Sequence, residues 1–152
     1  SYGTMEIGFN IIRGGHPADV VLRNNELFTR LGRLSCWAFK RFVYPWYKRR
    51  FLKYTDLYNL ENAIQLKSVC RTPILVTGGI RSGAQIARII RDHRLDGVSV
   101  CRPFICEPDF VQKLKENQEY RSRCINCNLC TVMSDSQHPL RCYLGDLDTC
   151  LS

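Results

Sequence analysis

Two short apolar runs, separated by a helix-like segment, constrain the fold of this chain more than any other feature. Residues 74–77 form a β-favouring run that ends at two glycines, and residues 98–100 form a second run that ends before Arg102 and Pro103. Between them, isoleucines recur at helical spacing behind Ser82, a residue type that caps helices well. A strand, helix, strand order requires parallel strands joined by a right-handed crossover. The sequence therefore predicts an α/β fold, with the first strand buried on both faces.

Further helices are predicted on both sides of this unit. Apolar residues recur at helical spacing over residues 58–69, with Asn59 at the position of the N-cap, and another helix begins near residues 107–109. The first 25 residues are rich in glycine and asparagine and predict a long loop.

Length and composition place the chain among globular proteins. It has 152 residues, of which 45% are hydrophobic and 24% charged. It contains no apolar run of about 18 residues that predicts a membrane span, and no export signal at its start. Because the sequence begins without methionine, we expect a piece of a longer protein. We also expect that this protein is cytoplasmic.

The net charge of +8 has a local source in residues 38–55, which hold six cations and no acid, interleaved with aromatic residues. One interpretation is an amphipathic surface segment that extends its cations over a buried aromatic side. The alternative is a surface that binds nucleic acid, since aromatic rings stack on bases. Pro45 predicts that any helix here breaks or restarts near Tyr44.

The ends of the two predicted strands carry residues suited to an anion. Gly78 and Gly79 allow backbone amides to approach a phosphate, and the following helix adds the positive end of its dipole. Arg102 follows the second strand and can make a charge-assisted contact with the same group. The sequence predicts a phosphate site, and a tight strand-to-helix turn is the alternative.

A cysteine-rich segment follows. The chain has nine cysteines, and Cys124, Cys127, Cys130 and Cys142 crowd together in a C-x2-C-x2-C run with one later member. This spacing is typical of an iron–sulfur cluster. Zinc with four thiolates and a set of unmetallated thiols are the alternatives. Cys150 lies beyond the set and is a poor ligand.

Taken together, these segments are similar to the old yellow enzyme family of FMN-dependent oxidoreductases. The resemblance runs from about Tyr58 to Tyr143 and is carried by residues 72–80, 95–104 and 107–110. It implies the C-terminal portion of a (β/α)8 TIM barrel, in which these are the seventh and eighth strands. It also implies barrel units over residues 1–120, with Ser1-Tyr2-Gly3 at the end of the sixth strand, and a cysteine-rich extension over residues 121–152.

The resemblance implies that Gly78, Gly79, Cys101 and Arg102 bind the FMN phosphate. Cys101 departs from the family, which commonly has glycine at this position. The branch that includes 2,4-dienoyl-CoA reductase and trimethylamine dehydrogenase carries a [4Fe–4S] cluster from a comparable segment, which favours iron for the four cysteines.

The activity implied is transfer of hydride from NAD(P)H through FMN to an acceptor such as an activated alkene. No catalytic residue can be assigned, because the family's catalytic groups come from earlier strands, and we expect this segment alone to be inactive. His16, His93 and His138 are expected to be surface residues. Neither nucleic acid nor a membrane is expected as a partner. Two other hypotheses are a zinc- or cluster-stapled module that binds nucleic acid through residues 38–55, and a degenerate barrel remnant with a structural role.

Overall fold

The computed structural model describes residues 13–15, 17–24, 28, 30, 32–49, 53–134 and 136–146. They form two compact units, which are treated separately below. The first unit comprises the described residues up to Lys53 and those from Asn126 onward, and the second spans Tyr54–Ile125. The boundary expected near residue 120 stays a prediction, and the expected end of a strand at residues 1–3 lies outside the described residues.

The described residues form a mixed α/β structure, which confirms the predicted class at that level. In chain order the elements are α1 (Ala18–Asn24), α2 (Arg33–Ala38), a π-helical turn (Phe39–Val43), α3 (Tyr44–Lys48), α4 (Leu60–Val69), β1 (Leu75–Thr77), α5 (Gly83–Arg91), β2 (Gly97–Ser99), α6 (Arg102–Cys106), α7 (Phe110–Glu116) and α8 (Leu129–Met133). No helix among them is long and apolar enough to cross a membrane.

The second unit is built around the predicted strand, helix, strand arrangement. β1 and β2 pair in parallel, with Val76 beside Val98 and Thr77 beside Ser99. The core of this unit consists of residues from β1, α4, α5 and the segments next to the strands: Leu60, Ala63, Val76, Ile80, Ile89 and Leu95. The crossover helix α5 therefore packs Ile86 and Ile89 of its predicted apolar stripe against this core, whereas Ile90 of the same stripe is 45% exposed.

The prediction that β1 is buried on both faces is wrong for the described residues. Val76 is 3% exposed, whereas its neighbour Leu75 is 63% exposed. Successive side chains of a strand point to opposite faces. Leu60 and Ile89 join Val76 in one cluster, so the described helices cover the Val76 face only.

The core of the first unit forms where a loop was expected. Residues 18–24 are helical, and Val20 and Val21 of α1 are buried. They pack with residues of α8 and the segment after it: Leu129, Val132, Met133 and Tyr143. Local composition favoured a loop, and burial of the two valines against α8 outweighs it.

Residues 33–48 form one helical segment that changes its winding. The α-helix gives way to a π-helical turn over Phe39–Val43 and resumes at Tyr44, one residue before Pro45. The predicted restart near Tyr44 is therefore confirmed. The predicted buried aromatic side is wrong for Phe42 and Trp46, which are more than half exposed, whereas Phe39 and Tyr44 are half-buried.

Candidate functional site

The predicted phosphate residues lie at one edge of the two-stranded sheet. Because β1 and β2 are parallel and Thr77 pairs with Ser99, Gly78-Gly79 and Cys101-Arg102 leave the sheet at the same edge. The C-terminal ends of parallel strands are where α/β proteins place their ligands. The geometry thus brings the sequence-predicted pairs to one side of the unit.

Gly78 and Gly79 adopt backbone conformations that L-residues rarely adopt. Their φ angles are +117° and +74°. A Cβ on Gly78 would lie 2.5 Å from the Tyr58 ring, and one on Gly79 would lie 2.6 Å from the Leu57 nitrogen. The Gly79 carbonyl accepts hydrogen bonds from the Leu57 amide at 3.3 Å and the Tyr54 hydroxyl at 3.2 Å. The segment that enters α4 therefore packs directly on the two glycines.

The N-terminus of α5 is capped by protein groups. Ser82 and Gln85 form a capping box, in which the Gln85 side chain accepts from the amides of Arg81 and Ser82 at 2.7 and 3.1 Å. The Gly83 amide donates to the Tyr120 carbonyl at 3.0 Å. These amides are engaged by protein groups, and the expected contribution of the α5 dipole to an anion site stays a prediction. An anion at this edge depends on the glycine loop and on Arg102.

The departure at Cys101 is compatible with the local backbone. Cys101 is exposed and precedes α6 with φ −117°, a value that needs no glycine. Its carbonyl accepts from the amides of Phe104 and Ile105 in the first turn of α6. Arg102 begins α6 and is half-buried.

A charged network that the sequence did not predict lies beside Gly79. Asp56 accepts hydrogen bonds from the Tyr54 hydroxyl at 2.7 Å, from Arg81 at 3.1 Å and from Arg121 at 3.2 Å. Arg81 also donates to the Cys124 carbonyl at 3.0 Å and lies over the Tyr54 ring. Partial burial raises the pKa of the Asp56 carboxyl, but the hydrogen bond from Tyr54 and the two guanidinium groups outweigh it and hold the pKa below its usual value.

Glu107 anchors the segment that leads to the cysteines. It is 1% exposed and accepts from the Tyr120 hydroxyl, the Ser122 hydroxyl at 2.6 Å, the Arg123 amide at 2.7 Å and the Lys113 ammonium at 2.9 Å. Burial raises the pKa of this carboxyl, but the surrounding donors prevail and lower it to about 2. Glu107 is therefore an ionised group that fixes residues 120–123 against α7.

In the first unit, the second half of the cysteine run is shaped by two left-handed asparagines. Asn126 and Asn128 have φ angles of +56° and +65°. The Asn128 side chain donates to the Gly15 carbonyl at 2.8 Å, and the Gly15 amide donates to the Asn126 carbonyl at 2.9 Å. A Cβ on Gly14 would lie 2.3 Å from that same carbonyl. The run is therefore a folded loop that leads into α8, held by the chain around Gly14.

The four predicted metal ligands are all described, and all are cysteines of intermediate burial. Cys127 packs against the core of the first unit, and Cys130 lies in α8. Within the described residues, no three His, Cys, Asp or Glu side chains lie close enough to hold a metal ion. The thiols supply the donor atoms that a cluster needs, and the cluster stays a prediction. Cys150 lies outside the described residues.

The histidines add no chemistry to these sites. His16 lies outside the described residues, and His138 is exposed. His93 is half-buried, and its Nε2 atom is buried without a hydrogen-bond partner in the described part of the chain. The expectation of a surface position is confirmed for His138, is wrong for His93 and stays a prediction for His16.

Sequence reasoning missed Asp56, Arg81 and Glu107. Arg81 stands directly after the glycine loop, and Glu107 precedes a proline at the start of a helix. Asp56 and Arg81 pair across 25 positions, and Glu107 accepts from groups 6 to 16 positions away. No local spacing indicates these contacts.

The second unit is thus a parallel α/β unit with a glycine loop and an arginine at the ligand edge of its sheet. The chain is 35% identical over 68 residues to a protein named NADH oxidase from Thermoanaerobacter brockii. The match covers 44% of this chain and 10% of that protein, which supports a distant relationship over a small part of the relative. No protein-family model matches the chain, and no solved structure matches it.

Proposed function

We propose that this chain is part of an FMN-dependent NAD(P)H oxidoreductase, in which it forms the last β/α units of a barrel similar to old yellow enzyme. Its role there is to hold the phosphate of FMN at the edge formed by the ends of β1 and β2. FMN, when bound, carries hydride from the nicotinamide to an acceptor such as an activated alkene. The residues of this chain bind and orient the cofactor.

The observation that carries the proposal is the alignment of the two strand ends. The β1–β2 register favours one anion contacting both the loop at Gly78-Gly79 and the side chain of Arg102. Cys101 lies at the same edge, where its backbone would contribute to the same phosphate. The distant similarity to an NADH oxidase supports the same redox class.

The [4Fe–4S] cluster is the second part of the proposal. Cys124, Cys127, Cys130 and Cys142 would be its ligands, because their spacing is typical of such clusters. No step of the reaction is assigned to the cluster.

The test uses the full-length protein that contains this segment, purified without oxygen. We expect flavin absorption in the visible spectrum and FMN in the acid extract, at about one per chain. Absence of flavin from a folded sample that also binds no added FMN would refute the proposal.

The metal is tested by elemental analysis of the same sample and of two variants. Cys142→Ser should lose iron, whereas Cys70→Ser, which changes a cysteine outside the set, should retain it. Zinc in place of iron, or equal iron in both variants, would contradict the cluster without affecting the flavin proposal.

A further inference from the structure

The helical segment of residues 33–48 carries a row of exposed apolar side chains, here called the aromatic ridge: Leu34, Trp37, Phe42 and Trp46. Leu34 is 77% exposed and Phe42 is 66% exposed, while the two tryptophans are 59% and 55% exposed. A row of this kind is unusual on a surface that meets only water, since large exposed apolar patches mark interaction sites.

The π-helical turn is what brings these side chains into a row. Trp37 and Phe42 are five residues apart, which is the hydrogen-bond spacing of a π-helix, and Phe42 lies within the turn over Phe39–Val43. Phe42 and Trp46 are four residues apart, which matches the α-helical repeat after the turn. The ring centroids of Trp37 and Phe42 are 6.1 Å apart, so the two side chains share a face. A regular α-helix would rotate Phe42 and Trp46 away from Trp37.

The opposite face of the segment is the one that packs on the rest of the unit. Phe39 lies 5.2 Å from Phe28 between ring centroids, and the Cys36 thiol donates to the Phe28 carbonyl. The segment therefore packs one side on the unit and still exposes the side chains of the aromatic ridge.

The charges that flank the ridge are of one sign. Residues 27–55 contain no acidic residue. The described cations of the segment are Arg33, Lys40, Arg41, Lys48 and Arg49. Lys40 forms an ion pair with Asp19 of α1. The other cations still give this surface a net positive charge. A partner for this surface must accept apolar side chains and offer negative charge.

We propose that the aromatic ridge binds the surface of an anionic membrane, with its aromatic rings at the boundary between headgroups and acyl chains. Tryptophan and phenylalanine favour this boundary, and flanking lysine and arginine side chains reach the headgroups. This association is peripheral. It departs from the expectation that a membrane is not a partner, and it is independent of the flavin proposal.

Nucleic acid, the other anionic partner, fits the ridge less well. Base stacking needs open ring faces, whereas the Phe42 ring meets Trp37 edge to face at 87° and lies under the Arg41 guanidinium at 5.6 Å. Leu34 and Val43 are exposed aliphatic side chains that a nucleic acid would leave in water. An acyl boundary buries both.

The two tryptophans of the ridge are the only tryptophans of the chain, so their emission reports binding directly. The full chain is titrated with vesicles of phosphatidylcholine alone and with vesicles that also contain phosphatidylserine. We expect a blue shift of the emission and co-sedimentation with the second kind only, and a loss of binding as salt is raised. An unshifted emission with both vesicles would overturn the proposal, as would binding to single-stranded RNA in place of vesicles.

Matched variants distinguish binding through the aromatic ridge from nonspecific adsorption to the vesicles. Trp46→Ser should weaken vesicle binding at least about tenfold, whereas Leu66→Ser, at a site that is 54% exposed in α4, should not. Lys48→Gln should weaken binding about fivefold, and Lys115→Gln in α7 should leave it unchanged. All four side chains are exposed, so thermal unfolding should be nearly unchanged. Equal binding of Trp46→Ser and Leu66→Ser would overturn the proposal.

Discussion

Replacing Glu107 by glutamine tests whether the ionised carboxylate holds the second unit together. The carboxylate is buried and accepts hydrogen bonds from Tyr120, Ser122, the Arg123 amide and Lys113. Glutamine has nearly the same shape, but its amide group replaces an acceptor by a donor. At least one of these donors then loses its partner, and the Lys113 ammonium loses its counter-charge, which is costly in a buried site.

The size of the effect follows from the pKa of Glu107, which falls from 4.5 to about 2. At about 1.36 kcal/mol per pKa unit, this corresponds to an upper limit of about 3 kcal/mol. The Lys113 and Arg123 side chains are 28% and 71% exposed, and water screens their part of the interaction. We therefore expect Glu107→Gln to lower the free energy of unfolding by about 2 kcal/mol at neutral pH.

The depressed pKa of Glu107 also makes the stability of the fold depend on pH. The folded-state pKa is depressed, so the stabilisation is fully present above pH 4.5 and is lost as the pH falls toward 2. Urea unfolding of the full chain at several pH values measures it, with Glu119→Gln, an exposed site, as the control. The gap between Glu107→Gln and the unchanged chain should close between these two pH values. If Glu107→Gln matches the control at pH 7, or if the gap does not depend on pH, the reasoning is wrong.

Three further substitutions probe the elements that build the site, each followed by urea unfolding. Gly78→Ala should lower the free energy of unfolding by about 2 kcal/mol or more, because φ is +117° and the new Cβ meets a tyrosine ring. The control Gly32→Ala, where a Cβ meets nothing within 4 Å, should lower it by less than about 1 kcal/mol. Similar losses in the two variants would contradict this prediction. Ile89→Ala, at a site with 0% exposure, should lower the free energy of unfolding by about 2–5 kcal/mol. The control Ile90→Ala, at a site that is 45% exposed, should lower it clearly less. The reverse order would refute the assignment of the buried face of α5. Ser82→Ala removes the capping box and should cost about 1 kcal/mol; an unchanged midpoint would show that the cap contributes nothing.

Local signals in the sequence located the elements of the second unit well. The run at residues 74–77, the cap at Ser82 and the isoleucine stripe all depend on neighbours close in sequence, and the structure places β1 and α5 there. The helix α1 was missed because its stability comes from Val20 and Val21 packing on α8, more than 100 residues away. Sequence spacing carries no record of such a contact.

The same distinction applies to the site. The edge formed by Gly78-Gly79 and Arg102 was predictable, because parallel pairing alone brings successive strand ends together. The ion pair of Arg81 with Asp56 was not, since it joins residues 25 positions apart. The exposed aromatic ridge was missed for another reason: the aromatic side of residues 38–55 was expected to be buried, whereas Phe42 and Trp46 are exposed.

The positive φ angles at Gly78 and Gly79 are fully explained by the packing of Tyr58 and Leu57, so they are not themselves evidence for a ligand. A glycine substitution would disturb stability and cofactor binding together and could not separate the two. Arg102→Gln separates them, because a charge-assisted contact to phosphate is worth about 1.5–3 kcal/mol, or roughly a 10- to 100-fold loss of FMN affinity. Titration of the full-length protein with FMN measures this, with Arg91→Gln at the far end of α5 as the control and the unfolding midpoint as the check on folding. Equal FMN affinity in the two variants would remove Arg102 from the site, and with it the argument that the aligned strand ends share one anion.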